Sequence, residues 1–360
     1  MLAAHQPIQR HPAAKLLAVD AGGALLHLPR TQFPALLRPG DLVVANDAAT
    51  LPASLAGTHL PTGQPIEVRL AARDSLVPSA VRDFTAIVFG AGDFHQRTED
   101  RPLPPALYAG DALQLGPLRA TIERLLDHPR CIALRFEGAP DEIWAGLAFH
   151  GRPIQYAHVA EPVHLWDVWT PIAGPPVAFE PPSAGFAIDW RTLAAIGARG
   201  AQFATITHAA GISSTGDPAL DARLPFDEPY RIPAATAEAI RRSERVIAIG
   251  TTVVRALEDA AIGETLVRPG EGLATQRIGA SSRLRVVDAL LSGTHEPGTS
   301  HYELLRAFAD DTTLRRMDTE LESHHYRTHE FGDSVFIGRR KRLPYQGRTK
   351  EFPRIEFFQT

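Results

Sequence analysis

The stretch "RVIAIGTTVVRALEDA", residues 245–260, constrains the fold more than any other part of this 360-residue chain. Val246, Ile247, Ala248 and Ile249 are apolar on both faces, the pattern of a short buried strand, and Gly250 ends the run. Thr251 or Thr252 then offers a cap for a helix that turns Val253, Val254 and Leu257 inward and Arg255, Glu258 and Asp259 outward. Such a turn leaves free N–H groups and two hydroxyls at a strand's carboxyl end, where ligands bind in α/β folds. A tight strand-to-helix connection with no ligand has the same local pattern.

The rest of the chain supports an α/β protein with a second, strand-rich part. The segment "KLLAVDAGGALLHL" reads as a hairpin around Asp20 to Gly23, and Leu42 to Ala45 form a strand running into Asn46-Asp47. Between about residues 55 and 150, short alternating segments such as "IEVRLAAR", "FTAIVFGAG" and "CIALRFEG" lie between Gly, Pro and Asp punctuation. That texture predicts a small β-barrel or meander. From residue 185 helices and strands alternate: "DWRTLAAIGARG" a helix ended by Gly200, "QFATITH" a strand, "AATAEAIRRSE" a helix, "LRVVDALL" a strand and "SHYELLRAFADD" a helix. The last 23 residues carry seven basic side chains, Arg339, Arg340, Lys341, Arg342, Arg348, Lys350 and Arg354, and read as an extended arm suited to phosphates.

Composition narrows the function classes. The 44% apolar and 22% charged content is that of a folded globular chain. A net charge of −4 excludes a protein coated with basic surface, so a nucleic-acid partner needs a local patch. The single cysteine, Cys131, allows no internal disulfide and no thiolate metal cluster, and reads as a small buried hydrophobe. No signal pattern and no window of 18 apolar residues is present, which predicts a cytoplasmic protein without a membrane span.

The familiar nucleotide, hydrolase and zinc motifs are missing: there is no GxxxxGK[ST], GxGxxG after a strand, CxxC, HExxH or GxSxG. His324 and His325 are adjacent and read as a solvated pair, so no metal is expected. Polar density concentrates instead in loops. "LLSGTHEPGTSHYELLRAF" repeats the layout of the opening stretch, a strand ending at Leu291 and then Ser292, Thr294, His295, Glu296, Thr299 and Ser300 before a helix. His295 there can serve as a general base, or satisfy loop carbonyls while Thr299 or Ser300 caps the helix. "EPPSAGF" joins a stiff turn to small residues that admit a ligand, and Asp333 in "HEFGDSVFI" is an acid, an acceptor or a turn aspartate.

Taken together, these loops resemble the S-adenosylmethionine:tRNA ribosyltransferase-isomerases of queuosine biosynthesis. "PGDLVVANDAATLPASLAG…TGQPIEVRL" is similar to that family's "GDLLVFNDTRVIPARLxG…TGGxIEVLL", and "VIAIGTTVVRALEDA" is nearly identical to its counterpart. "GTHEPGTSHYELLRAFA" resembles "NFHLPKSTLLMLVSAFA", and "YRTHEFGDSVFI" resembles "YRFFSYGDAMLI", in collinear order over about residues 38–337.

The resemblance implies a barrel-like α/β catalytic domain, residues 1–55 and 151–337, with a small β-barrel inserted at 56–150 and a basic tail at 338–360. It implies transfer and isomerisation of the ribosyl part of S-adenosylmethionine onto the aminomethyl group of a 7-deazaguanine in the tRNA anticodon. Adenine and methionine leave, and no metal takes part. A sulfonium acidifies the adjacent ribose C–H, so a positioned base can start such chemistry. Carried onto this chain, the catalytic candidates are Glu228, His295 and Asp333. The candidates for holding the cofactor are Asn46, Asp47, Ser183, Gly185, Gly250, Thr251, Thr252, Arg255 and Thr299.

The chain also departs from the family's pattern. Ala49 stands where the family has arginine and Ala187 where it has histidine. His208 is displaced by one position, which turns a strand side chain to the other face, and "RLPFDEPY" keeps Glu228 without the histidines of HxMHxE. Three readings stay open on sequence: the tRNA enzyme, an S-adenosylmethionine-dependent enzyme on a small acceptor, and a non-catalytic module that binds RNA or another partner.

Overall fold

A computed structural model describes residues 2–339. Nine strands form one mixed sheet in the order Gly270–Ala274, Glu228–Ile232, Gln202–His208, Asp41–Asn46, Arg245–Ile249, Ala289–Gly293, Ser334–Gly338, Lys15–Val19 and Leu25–Pro29. The central four are parallel, with Val43 opposite both Phe203 and Ile247. The continuous apolar runs follow from burial on both faces. Leu42, Val44, Val246 and Ala248 enter one core, and Val43, Ala45, Ile247 and Ile249 enter the other. Each such Val, Leu or Ile contributes roughly 1.5–3 kcal/mol by leaving water, which fixes the register against a one-residue slip.

The amino-terminal hairpin forms as its turn residues require. The Asp20 carboxylate accepts the N–H groups of Gly22 and Ala24, each at 2.8 Å. The six strands Leu118–Leu125, Cys131–Phe136, Asp83–Phe89, Gln64–Ala72, Ser54–His59 and Ala112–Leu115 close into a β-barrel, so the fold is α/β with a closed small barrel. Helix Pro140–His150 adds Ile143 and Leu147 to the barrel core, and Phe179, Ile212, Leu220 and Leu224 join it from the larger part of the molecule. Cys131 is buried in a barrel strand, and burial pushes its thiol up to about 11, as befits a packing residue.

Several elements differ from the sequence expectation. The strand expected over "LRVVDALL" runs only over Ala289–Gly293, because Glu258 on the helix Thr251–Asp259 accepts the N–H groups of Arg285, Val286 and Val287 and holds them off the ladder. The helix expected over "SHYELLRAFADD" stops at Leu305. Asp310 then caps a second helix, Asp311–Ser323, through the N–H of Thr313. Arg339 belongs to the body, since its guanidinium meets Asp288 at 3.0 Å, whereas Arg340, Lys341, Arg342, Arg348, Lys350 and Arg354 lie outside the described residues. Among the described residues no helix is long and apolar enough to cross a membrane.

Candidate active site

The connections leaving the carboxyl ends of the central strands converge on a cavity of about 320 Å³. Gly250 to Thr252 follow strand Arg245–Ile249, Ser292, Gly293 and His295 lie at the end of strand Ala289–Gly293, and Ala210 to Ser213 follow Gln202–His208. Glu180 to Ala184 supply another wall. This is the position at which α/β sheets bind ligands, and the volume suits a small molecule.

The turn that opened the sequence argument lines the cavity, by a mechanism other than capping. Gly250 is the cap residue at φ 94°, a left-handed value that favours glycine, and neither threonine caps the helix. A Cβ on Gly250 would also come within 3.5 Å of Ala184, so the turn packs directly on the opposing wall.

Arg255 is not turned outward as expected. It is buried, and its guanidinium donates to Glu228 and to the carbonyl of Ala274 at 2.9 Å. Glu228 reaches it from the first position of strand Glu228–Ile232 and accepts the N–H of Gly211 at 2.6 Å. Burial raises the Glu228 carboxyl above its ordinary range, and Arg255 opposes that shift. Behind the pair lies His208, fully buried, with Nε2 3.3 Å from Glu228 and its protonation driven well down by burial and by Arg255.

On the other strand connection, His295 Nε2 lies 2.7 Å from the Ser292 hydroxyl, and its ring stacks on His301 at 4.8 Å. Burial drives His295 well below its ordinary value and His301 down to about 4, so both rings are neutral near pH 7. A neutral imidazole on a hydroxyl can accept a proton, the task assigned to His295.

Ser183, Glu228, Gly250, Thr251, Thr252, Arg255 and His295 are thus brought together around the cavity. Five other candidates are not among its lining residues, and each has a structural task instead. Asn46 exchanges hydrogen bonds with the His208 backbone at 2.9 Å, bridging two strands past their ladder. Asp47 accepts the hydroxyls of Thr205 and Thr207. Gly185 sits in a 3₁₀ turn where a Cβ would press on Thr170 at 3.0 Å, and Thr299 caps helix Ser300–Leu305. Asp333 is buried and accepts the backbone N–H groups of Lys15 and Arg327, each at 2.8 Å, so it ties together the chain segments entering neighbouring strands.

Glu180 and His301 line the cavity unforeseen. His301 belongs to a helix's first turn, where only the helical fold wraps it onto His295. Glu180 stands before two prolines in the segment read as a stiff turn leading to small residues that admit a ligand, a reading that did not single out its carboxylate. Its carboxyl accepts the Tyr156 hydroxyl and is raised to about 7, first by burial and then by Glu330.

Among the described residues two side-chain groups could hold a cation. His27, Glu320 and His324 form one and His158, His329 and Glu330 the other, each with its ligand atoms within 4.8 Å of one another. His324 is therefore not simply solvated beside His325: it stacks on His27 at 4.0 Å and meets Glu320 at 3.2 Å.

The chain is similar in sequence to known proteins along nearly its whole length. The chain resembles an S-adenosylmethionine:tRNA ribosyltransferase-isomerase from Gloeobacter violaceus at 31% identity, covering 93% of this chain and 92% of that one. A protein of the same name from Methylorubrum extorquens is 32% identical over 92% of each chain. A crystal structure of an S-adenosylmethionine tRNA ribosyltransferase from Thermotoga maritima aligns at a TM-score of 0.48 and 21% identity, covering 93% of this chain and 96% of that one. The model of the family described as queuosine biosynthesis protein matches residues 1–337, and the chain belongs to that family.

Proposed function

We propose that this protein is an S-adenosylmethionine:tRNA ribosyltransferase-isomerase of queuosine biosynthesis. The observation that carries the reading is the cavity itself, in which the strand connections bring hydroxyls, a neutral histidine on a serine and four carboxyl groups to one place. Glu180, Asp221, Glu228 and Glu303 outnumber Arg255 and Arg277 in its lining, a balance that favours a cationic ligand. S-adenosylmethionine carries a sulfonium and an ammonium, and the acceptor carries an aminomethyl group, so both substrates match that field.

In this reading Thr251, Thr252 and the N–H groups of their turn hold the ribose and carboxylate of S-adenosylmethionine. His295, relayed to Ser292, removes the proton that the sulfonium acidifies. The Glu228–Arg255 pair fixes a charge against the reacting atoms without taking part as an acid, because protonating Glu228 would strand a buried guanidinium.

Exposed tryptophans close in the chain to the cavity wall Glu180–Ala184 support a tRNA acceptor. Trp166 and Trp190 are 69% and 76% exposed, and His164 stacks on Trp166 at 4.5 Å. Trp190 follows the turn Ser183–Ala187 at the cavity wall, and Thr170, close after Trp166, packs on Gly185 of that turn. Exposed aromatic rings are platforms for unstacked RNA bases, as in an anticodon loop. The enzyme would act in the cytoplasm, where its tRNA substrate is. The test is turnover: adenine release that depends on both S-adenosylmethionine and tRNA bearing the aminomethyl base, with product nucleoside formed in step.

A further inference from the structure

The cavity's carboxyl groups differ in what already holds them. Glu228 is paired with Arg255, Glu303 with Arg306 at 3.0 Å, and Asp221 accepts both the N–H and the hydroxyl of Thr215 at 2.6 Å. Glu180 is held differently. The Tyr156 hydroxyl donates to its Oε1, and among the described residues no cation forms a salt bridge to it. Arg69, whose charge feels Glu180, is itself engaged with Glu67 at 2.7 Å. Burial keeps Tyr156 protonated far above its ordinary range, so this hydroxyl is a fixed donor, and it also lies 3.1 Å from the Ser214 carbonyl. The remaining groups facing Glu180 are Ser213, which donates to it, and Glu330, whose negative charge disfavours its ionisation.

We propose that Glu180 is a catalytic residue that takes a proton from the cationic amine of the acceptor, with Tyr156 as its positioning residue. The proposal rests on the ribosyltransferase reading above, and it deepens that reading by naming the group that makes the acceptor nucleophilic. In the step, one N–H bond of the ammonium breaks and its electron pair stays on nitrogen. The proton forms an O–H bond on the Glu180 carboxylate, and the freed pair is then available for attack on the ribosyl carbon. Two opposite charges become two neutral groups, so nothing is oxidised or reduced and no further reagent is consumed.

Physical chemistry favours Glu180 for this transfer over its neighbours. At a buried carboxyl such as Glu180 an isolated charge is costly, and a transfer that neutralises two charges there is downhill in solvation. The same transfer to Glu228 would leave Arg255 buried and uncompensated. A carboxyl poised near neutral also divides its time between accepting and releasing a proton, the condition for efficient base catalysis.

The test is the pH profile of kcat/KM for tRNA, measured on the full chain together with S-adenosylmethionine affinity by calorimetry. Wild type should show a rate that rises with pH through about 7 and then levels, since only ionised Glu180 accepts the proton. Glu180→Gln should lower kcat/KM by about 10²–10⁴ and remove that limb while S-adenosylmethionine affinity stays within about threefold. Tyr156→Phe should move the limb to higher pH, because the lost hydrogen bond stabilised the ionised carboxyl. A Glu180→Gln enzyme with the wild-type rate and limb overturns the proposal, as does a parallel fall in S-adenosylmethionine affinity, the mark of a structural role. Should that variant not fold, Tyr156→Phe decides, and an unmoved limb is fatal. A wild-type protein without turnover is a different result, because it removes the ribosyltransferase reading and this step with it.

Discussion

His295 Nε2 stands 2.7 Å from the Ser292 hydroxyl, and the same ring stacks on His301. Both imidazoles are kept neutral by burial, as is His208 at the end of strand Gln202–His208. This has a consequence for stability. A histidine whose folded pKa is depressed is protonated more readily in the unfolded chain. Unfolding is therefore increasingly favoured as pH falls below the unfolded value of about 6.5 toward the folded one, about 4 for His301. Tm should drop between pH 6.5 and 4, and His301→Gln should flatten that drop. A Tm flat across this window in the wild type would contradict the assignment of neutral rings.

The Glu228–Arg255 pair predicts an asymmetry between variants. Arg255→Ala leaves a buried carboxylate without its counter-ion and should cost about 3–5 kcal/mol in denaturant unfolding. The double change Glu228→Leu with Arg255→Leu should cost clearly less, because neither charge remains. Equal losses for the two proteins would mean that the pair is not buried as described.

Cofactor contacts should separate the residues that line the cavity from those that only resemble family positions. Thr252→Ala and His295→Ala should each weaken S-adenosylmethionine binding in calorimetry. Thr299→Ala should leave affinity unchanged while costing about 1 kcal/mol as a lost helix cap. Asp333→Ala should reduce stability, since the backbone N–H groups of Lys15 and Arg327 lose their acceptor, and again leave affinity unchanged. A selective loss of affinity at Asp333 would return it to the site.

The aromatic rim is tested with RNA. Trp166→Ala combined with Trp190→Ala should weaken tRNA binding by about 2 kcal/mol or more, given about 1–3 kcal/mol per stacked base. The salt dependence should not change, because no phosphate contact is removed. A variant that binds tRNA as wild type does would take the rim out of the RNA path.

Much of the sheet was legible in the sequence because its period and burial agree. Val246 to Ile249 are apolar on both sides and pack into both cores. Among the cavity-lining candidates, Thr251, Thr252 and His295 could be read from their place at a strand's carboxyl end, whereas Ser183, Glu228 and Arg255 came from the family resemblance. The failures have a common physical cause. Arg255 looked like a solvated helix position, and only the strand bearing Glu228, brought alongside by the tertiary fold, makes its burial affordable. Asn46, Asp47 and Asp333 are polar residues at strand ends, and from local sequence an acceptor for backbone N–H or hydroxyl groups looks the same as a ligand contact. Glu180 escaped notice because its partner Tyr156 is distant in sequence and met only in the folded chain.

Most directly, the account is tested by mixing the purified protein with S-adenosylmethionine and tRNA carrying the aminomethyl-deazaguanine, and following adenine, methionine and the modified nucleoside together. The account predicts that adenine and methionine are released, and modified nucleoside formed in the tRNA, in equal amounts and only with that tRNA. Turnover should be slow, because Ala49 and Ala187 stand where the family resemblance places an arginine and a histidine. Each lost charge-stabilising donor costs on the order of 10²–10³ in rate. Adenine released without tRNA, or no adenine with any tRNA, would contradict it.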